Sequence, residues 1–366
     1  MSKIRVLFVS GDLCDGGAQR VISVLSNKLA ECSNYEVFLY VFSKSNLDYS
    51  ISDRVHLTYM CQDEIEYRAT SHLKRLTNLR FYIKKNKPNV GVGFLQGGYA
   101  LYFASIGIKF YKIASARVNP EKINQAKGIN AIISRYWFRH ANSIVLQTES
   151  QKDIADKLGW KNCLVIGNPI SDVATSAKVS DYRKTCKNFV MVGRLVVQKN
   201  YLLVIRAIAK LVDEGIDVCV DIFGTGEHRK AIEEAIQEYH VEANVVLKGW
   251  ITNPVEEIIN YDGFILSSNF EGMPNSLMEA MAVGLPVIAT NCNTGPGDLI
   301  ENGKDGFLIS VDNESELCTA IKRLMSMNES ERERIGFNAR QKLMRSYSSD
   351  AIVLKWKELF EKVTGN

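Results

Sequence analysis

The feature that most constrains this chain is an alternation. Short runs of β-branched and aromatic residues, apolar nearly throughout, are separated by stretches with helical spacing. The runs fall at 4–10, 37–42, 90–94, 112–116, 143–147 and 163–166, and again at 189–192, 218–223, 245–247, 263–266, 287–289 and 306–309. Helical patterns lie between them, among them 18–30, 73–85, 150–158, 202–212, 227–239 and 315–326. Strands this apolar, alternating with helices, belong to parallel sheets covered on both faces. The alternation continues over 366 residues, more than one ordinary core spans. It breaks at Asn168-Pro169, which the polar stretch 171–187 follows as a candidate linker. The expected organisation is two doubly wound α/β domains, residues 1–170 and 171–348, and a closing helix in 349–366. Ile352, Val353, Trp356, Leu359, Phe360 and Val363 give that helix an apolar face, which must dock on its own domain or back across a cleft.

Doubly wound sheets bind ligands at the carboxyl ends of their strands, so function is expected in the loops that follow strands. The eight cysteines show no CxxC pairing and sit in strand-like runs, which reads as reduced thiols in a cytosolic protein. The apolar run at the N-terminus is too short for a signal peptide. Residues 88–108 carry no charge, but Pro88 and glycines 91, 93, 97, 98 and 107 break any spanning helix. Charge is uneven. Residues 1–170 hold 23 Lys and Arg against 13 Asp and Glu, while 171–366 hold 22 against 28. A basic front half suits an anionic partner, such as lipid headgroups or a phosphate-bearing acceptor. No nucleic-acid readout motif accompanies it.

Several loops carry candidate chemistry. After the first strand come Gly11, Gly16 and Gly17, a turn that lets backbone approach a phosphate at a helix N-terminus. The spacing is not that of a dinucleotide fingerprint, and no acidic residue ends the second strand, which argues against an NAD-dependent oxidoreductase. Arg194 and Lys199 follow the first strand of the second domain and suit a diphosphate, bound or departing. Gly224-Thr225-Gly226 is either a close backbone approach to ligand or a tight structural turn. The strongest signal is Glu271 and Glu279, eight residues apart. Gly272 and Pro274 form a turn between them, leading into a helix that starts near Asn275 or Ser276. That helix N-terminus can hold a phosphate, and the carboxylates can accept hydrogen bonds from sugar hydroxyls.

Taken in order, these motifs resemble the family 4 glycosyltransferases, retaining enzymes of GT-B fold with two Rossmann-like domains facing a cleft. The likeness runs from Gly16-Gly17-Ala18-Gln19-Arg20 through Gln147-Thr148-Glu149, Asn168-Pro169, Gly193-Arg194-Leu195, Lys199 and the Glu271/Glu279 segment to Gly295-Pro296-Gly297. The resemblance implies roles. Arg194 and Lys199 would hold the donor diphosphate, and Glu279 the ribose. Glu271 would face the transferred sugar, beside Gly272, Met273, Pro274, Asn275, Ser276 and Leu277. Trp250 and Ile251 would read the base, and Gly16 and Gly17 would approach the diphosphate. Many relatives carry a histidine in the acceptor domain. Here the segment 114–120 has none, and Arg117 and Asn119 become the acceptor or sugar candidates.

The implied reaction moves a hexosyl or N-acetylhexosaminyl group from a nucleotide diphosphate sugar, with UDP the expected nucleotide. The acceptor is a saccharide, of polyprenyl-diphosphate-linked type, in bacterial surface polysaccharide or lipopolysaccharide synthesis. No metal and no cofactor are expected, since no Asp-x-Asp occurs. The expected location is the inner face of the cell membrane, reached from the cytoplasm. The 73–85 helix would turn Leu73, Leu76, Leu79 and Ile83 to the core, and Lys74, Arg75, Lys85, Phe81 and Tyr82 to anionic lipid. The alternatives are an epimerase or phosphorylase on the same fold, and a non-catalytic nucleotide-sugar-binding protein.

Overall fold

The computed structural model describes residues 3–14, 17–45, 49–94, 96–179, 182 and 185–365. Two compact units emerge: Met1–Pro169 together with Ser349–Asn366, and Ile170–Ser348.

The first unit is built on seven parallel strands: β1 Ile4–Ser10, β2 Tyr35–Ser43, β3 His56–Cys61, β4 Val90–Phe94, β5 Tyr111–Ser115, β6 Ser143–Leu146 and β7 Cys163–Val165. Their order is β3-β2-β1-β4-β5-β6-β7. Val6 of β1 stands between Val37 of β2 and Val90 of β4, three β-branched residues in register at the centre of the sheet. The strand order reverses between β1 and β4, and ligands of doubly wound sheets sit at that switch point. The glycines of the charge-free stretch have a packing reason there. A Cβ on Gly97 would lie 2.1 Å from the Val9 carbonyl oxygen, and one on Gly98 2.4 Å from Trp137 Nε1. Only glycine lets the helix Gln96–Ala104 lie this close to β1.

The closing helix Ser349–Thr364 belongs to this first unit, where it packs on the helix Gly17–Ala30 and on β1. Trp356 and Phe360 are fully buried, and the Tyr35 hydroxyl donates to Glu361 at 3.1 Å. Truncating either ring would cost about 3–5 kcal/mol. The chain leaves the first unit at Pro169 and returns to it at Ser349, so the closing helix is not a third element standing apart.

The second unit repeats the scheme with β8 Asn188–Val192, β9 Cys219–Phe223, β10 Val245–Gly249, β11 Gly263–Leu266, β12 Val287–Thr290 and β13 Phe307–Ile309. All pairings are parallel, in the order β10-β9-β8-β11-β12-β13. The switch point lies between β8 and β11, the two strands whose loops carry Arg194, Lys199 and Glu271. The stretch expected as a linker begins with a helix that its polarity did not suggest. Ser171 caps a short helix, Asp172–Ser176, and Ile170 and Ala174 are buried in the second unit's core.

The helix His72–Asn86 corrects part of its expected orientation. Leu79 and Ile83 are buried, but Leu73 is 73% exposed, and Phe81 is exposed with Lys74, Lys84 and Lys85. Arg75 is drawn inward over the Tyr67 ring at 3.6 Å. Tyr82 packs on Tyr40, with ring centroids 4.9 Å apart. Tyr99, Tyr102 and Phe110 also pack against the first unit's core. No helix among the described residues is long and apolar enough to cross a membrane.

Candidate active site of the second unit

Two loops at the β8/β11 switch point are laced together. Asn269 N–H donates to the Gln198 carbonyl at 2.8 Å, and Ser267 Oγ to the Lys199 carbonyl at 2.7 Å. Gln198 Nε2 donates to the Phe270 carbonyl at 2.8 Å. This lacing brings Lys199 Nζ to 2.7 Å from Glu271 Oε1, with side-chain exposures of only 14% and 8%. The same carboxylate oxygen accepts from Ser268 Oγ at 2.7 Å, and Glu271 Oε2 from Gln198 Nε2 at 3.4 Å. Thr294 Oγ1 donates to the Glu271 carbonyl. The carboxylate is therefore held from several sides in one orientation, and a cation is stored beside it.

Arg194 differs. It is exposed, one residue past the turn Gly193, and pairs with no carboxylate among the described residues. Its backbone is nevertheless fixed. Leu195 N–H donates to the Thr225 carbonyl at 2.8 Å, and Tyr201 Oη to the Gly193 carbonyl at 3.0 Å. Gly224, at φ +145°, would place a Cβ 1.9 Å from the Gly193 carbonyl oxygen. Of the two readings left open for Gly224-Thr225-Gly226, the geometry carries the structural one: the glycines let this turn lie against the Arg194 loop. The result is a free guanidinium on a rigid base, suited to an anion from solvent.

After Glu271 the chain turns through Gly272 and the buried Met273 and Pro274 into the helix Asn275–Ala282. Pro274 supplies no side-chain cap, and Asn275 and Ser276 are half exposed at the start of this helix, the end whose dipole favours an anion. Leu277 is buried in the core, and Glu279, 4% exposed, lies two residues further on among Met278, Ala280 and Met281. The site thus combines a free cation, a cation paired to a carboxylate, an uncapped helix start and a second buried carboxylate. Trp250, 49% exposed, and the half-buried Ile251 follow the edge strand β10, at the same carboxyl end of the sheet.

In the first unit, Gly17 starts the helix Gly17–Ala30, while Gly16 lies outside the described residues. Asn119 caps the helix Pro120–Gln125, its side-chain oxygen accepting from Glu121 N–H at 2.8 Å, so that oxygen is engaged within the fold. Arg117 is buried. Its Nη1 donates to Asn168 Oδ1 at 2.6 Å, its guanidinium carbon lies over the Phe94 ring at 4.9 Å from the centroid, and burial pushes its pKa down to about 9. His140 stacks on Tyr136 at the end of a helix, a structural position. Among the described residues, no three His, Cys, Asp or Glu side chains come together as a metal site would require. None of the eight cysteines is in a disulfide.

The sequence singles out Arg194, Lys199, Glu271 and Glu279 as candidates, but it does not signal the Lys199–Glu271 pair or its supports Ser268 and Thr294. No spacing signals a contact between residues 72 apart.

Residues 172–342 match the family of glycosyl transferases group 1. The chain is 26% identical to the poly(ribitol-phosphate) alpha-N-acetylglucosaminyltransferase of Staphylococcus aureus, a match covering 89% of this chain and 66% of that protein. It is also 26% identical to the amylovoran biosynthesis glycosyltransferase AmsD of Erwinia amylovora, covering 98% of this chain and 99% of that one. Among solved structures, sucrose-phosphate synthase from Thermosynechococcus elongatus superposes with a TM-score of 0.84 at 16% identity, covering 99% of this chain and 100% of that one. Anabaena Alr3699/HepE, solved with UDP and glucose, superposes at 0.78 and 17% identity, covering 98% and 99%. At such identities these structures speak for the fold, which is GT-B.

Proposed function

We propose that this chain, which belongs to the group 1 glycosyltransferases of GT-B fold, transfers a hexosyl or N-acetylhexosaminyl group from a nucleotide diphosphate sugar to a saccharide acceptor, with retention at the anomeric carbon and without a metal. The observation that carries the reading is the β8/β11 switch point, where Arg194, the Lys199–Glu271 pair, the uncapped helix start at Asn275 and the buried Glu279 share one strand-end surface. Arg194 and Lys199 take the diphosphate, and their charge offsets what develops as it leaves. Glu279 accepts from the ribose diol, and Glu271 from the sugar. Trp250 and Ile251 read the base, and UDP is the nucleotide proposed. In the transfer, the bond from the anomeric carbon to the diphosphate oxygen breaks and one to the acceptor oxygen forms. The acceptor proton passes to the leaving phosphate on the same face. No side chain is required as a base.

The relatives' names support a bacterial surface polysaccharide or lipid-linked product. One of them, from Campylobacter jejuni and 26% identical over 89% of this chain, is named for a diphospho-undecaprenol acceptor. The proposed acceptor here is likewise a saccharide carried on a polyprenyl diphosphate. The exposed Leu73 and Phe81, flanked by Lys74, Lys84 and Lys85, support peripheral contact with an anionic membrane from the cytoplasmic side.

Thermal-shift screening of nucleotide sugars, followed by mass spectrometry of products on lipid-linked acceptors, tests the proposal. Stabilisation by one nucleotide diphosphate sugar and a product heavier by one sugar support it. Binding with no product across the panel would favour a non-catalytic sugar-nucleotide-binding role.

A further inference from the structure

One group of buried donors has no role in the donor chemistry. At the carboxyl end of β5, Ser115 Oγ, Arg117 Nε and Arg117 Nη2 are buried and take no hydrogen-bond partner among the described residues. Ser115 and Arg117 flank Ala116, whose N–H still bonds the Val145 carbonyl at 2.9 Å, so backbone pairing continues past the strand end and the two side chains share a side. The rest of the guanidinium is pinned. Phe94 lies under its plane, and Nη1 is bonded to Asn168 Oδ1. That oxygen also accepts from Gln147 Nε2 at 2.9 Å, and Gln147 is tied in turn to Gln151 by its own N–H at 2.8 Å. The supporting network is neutral throughout, and no carboxylate forms an ion pair with Arg117 among the described residues.

What is left unfilled is one edge of the fork. Nε and Nη2 carry parallel N–H bonds, the pair that meets two oxygens of a phosphate or carboxylate. Buried donors are satisfied in more than nine cases in ten, and a buried cation without a counter-charge is costly. A chain that clamps an arginine by its face and one nitrogen, while leaving the bidentate edge unfilled, has prepared it for an anion that arrives later. Both nitrogens are closed to solvent as the side chains stand, so occupancy requires neighbouring groups to draw back.

We infer that Arg117, with Ser115, is a phosphoryl-oxyanion site of the first unit, bidentate through Nε and Nη2, and that the oxyanion is carried by the acceptor. The site itself stands on the first unit's geometry; only its assignment to the acceptor rests on the function proposed above.

Inorganic phosphate titrated calorimetrically into the full-length protein and its variants tests the site. Arg117→Met is expected to weaken one phosphate site at least tenfold, and Ser115→Ala to weaken it less. An Arg194→Ala/Lys199→Met variant should keep that site. In phosphate-free buffer Arg117→Met should melt higher than wild type, because an uncompensated buried charge is gone. A purely structural arginine would instead melt lower. Arg117→Lys keeps the charge and loses the fork, and should bind phosphate about tenfold more weakly. A phosphorylated saccharide should displace phosphate from this site, while the same saccharide without phosphate and a nucleoside diphosphate should not. Unchanged phosphate binding in both Arg117 variants, or a lower melting temperature for Arg117→Met without phosphate, overturns the site. Displacement by nucleoside diphosphate alone overturns its assignment to the acceptor. Loss of phosphate binding only in the Arg194/Lys199 variant refutes this site while leaving the donor reading intact.

Discussion

Replacing Lys199 by Met removes one half of a 2.7 Å ion pair whose members are largely withdrawn from solvent. Breaking a buried pair from one side costs about 3–5 kcal/mol, because the remaining charge is left uncompensated. Glu271 would keep its hydrogen bonds from Ser268 and Gln198. Each offsets up to about 1 kcal/mol, so the expected loss is about 1–3 kcal/mol in the second unit. Removing the stranded charge as well, in Lys199→Met/Glu271→Gln, should restore most of it, for a coupling of about 2 kcal/mol. Turnover should behave oppositely. Each single variant loses it, and the double variant does not regain it, since Lys199 and Glu271 act on different parts of the donor. The substitution lies in the second unit, so its stability effect is best followed by hydrogen exchange of second-unit peptides, such as the one spanning β11, along a urea series. Additive stability effects within about 0.5 kcal/mol would refute the coupling. A double variant with wild-type turnover would refute the assigned roles.

Arg194→Ala should leave stability within about 0.5 kcal/mol, because its side chain is exposed and forms no ion pair among the described residues, yet cut turnover by about 10²–10³-fold in steady-state assays. Glu279→Gln preserves shape in a buried position and should weaken donor binding by about 1.5–3 kcal/mol, read by calorimetry; unchanged affinity in the folded variant would remove Glu279 from the donor site. Changing Lys74, Lys84 and Lys85 to Glu should release the protein from anionic liposomes in co-sedimentation, each lysine contributing about 1 kcal/mol, with wild-type binding falling as salt rises. Equal binding to neutral and anionic vesicles would reject the membrane face.

The strands buried on both faces were legible because runs such as Val6–Val9 or Phe264–Leu266 are apolar at consecutive positions and stop within a few residues at turn-forming ones. β3 escaped notice because it is an edge strand: His56 is exposed, Leu57 to Met60 are half buried, and the run looks like a mixed loop. The helix His72–Asn86 misled at Leu73, in its first turn, where helical spacing continues but the neighbouring surface no longer reaches it. Arg75 misled for another reason: an aromatic partner eight residues earlier drew its cation inward. The loops of the candidate site were legible because glycines and charges follow strands there. Their internal pairing was not, since Lys199 and Glu271 meet only once β8 and β11 lie side by side. The same applies to Arg117, whose burial depends on Phe94 and Asn168, both distant in sequence.

Retaining, metal-free transfer at the β8/β11 switch point, as proposed above, leaves its mark on the anomeric centre of the product. The measurement that tests it most directly is NMR of the anomeric centre of the product formed from a nucleotide diphosphate sugar in excess EDTA, with released nucleoside diphosphate quantified in parallel. The expected outcome is a product with the donor's anomeric configuration, one nucleoside diphosphate released per sugar transferred, rates unchanged by EDTA, and loss of both signals in Arg194→Ala. An inverted product, turnover that requires added metal, or full activity in Arg194→Ala would contradict it.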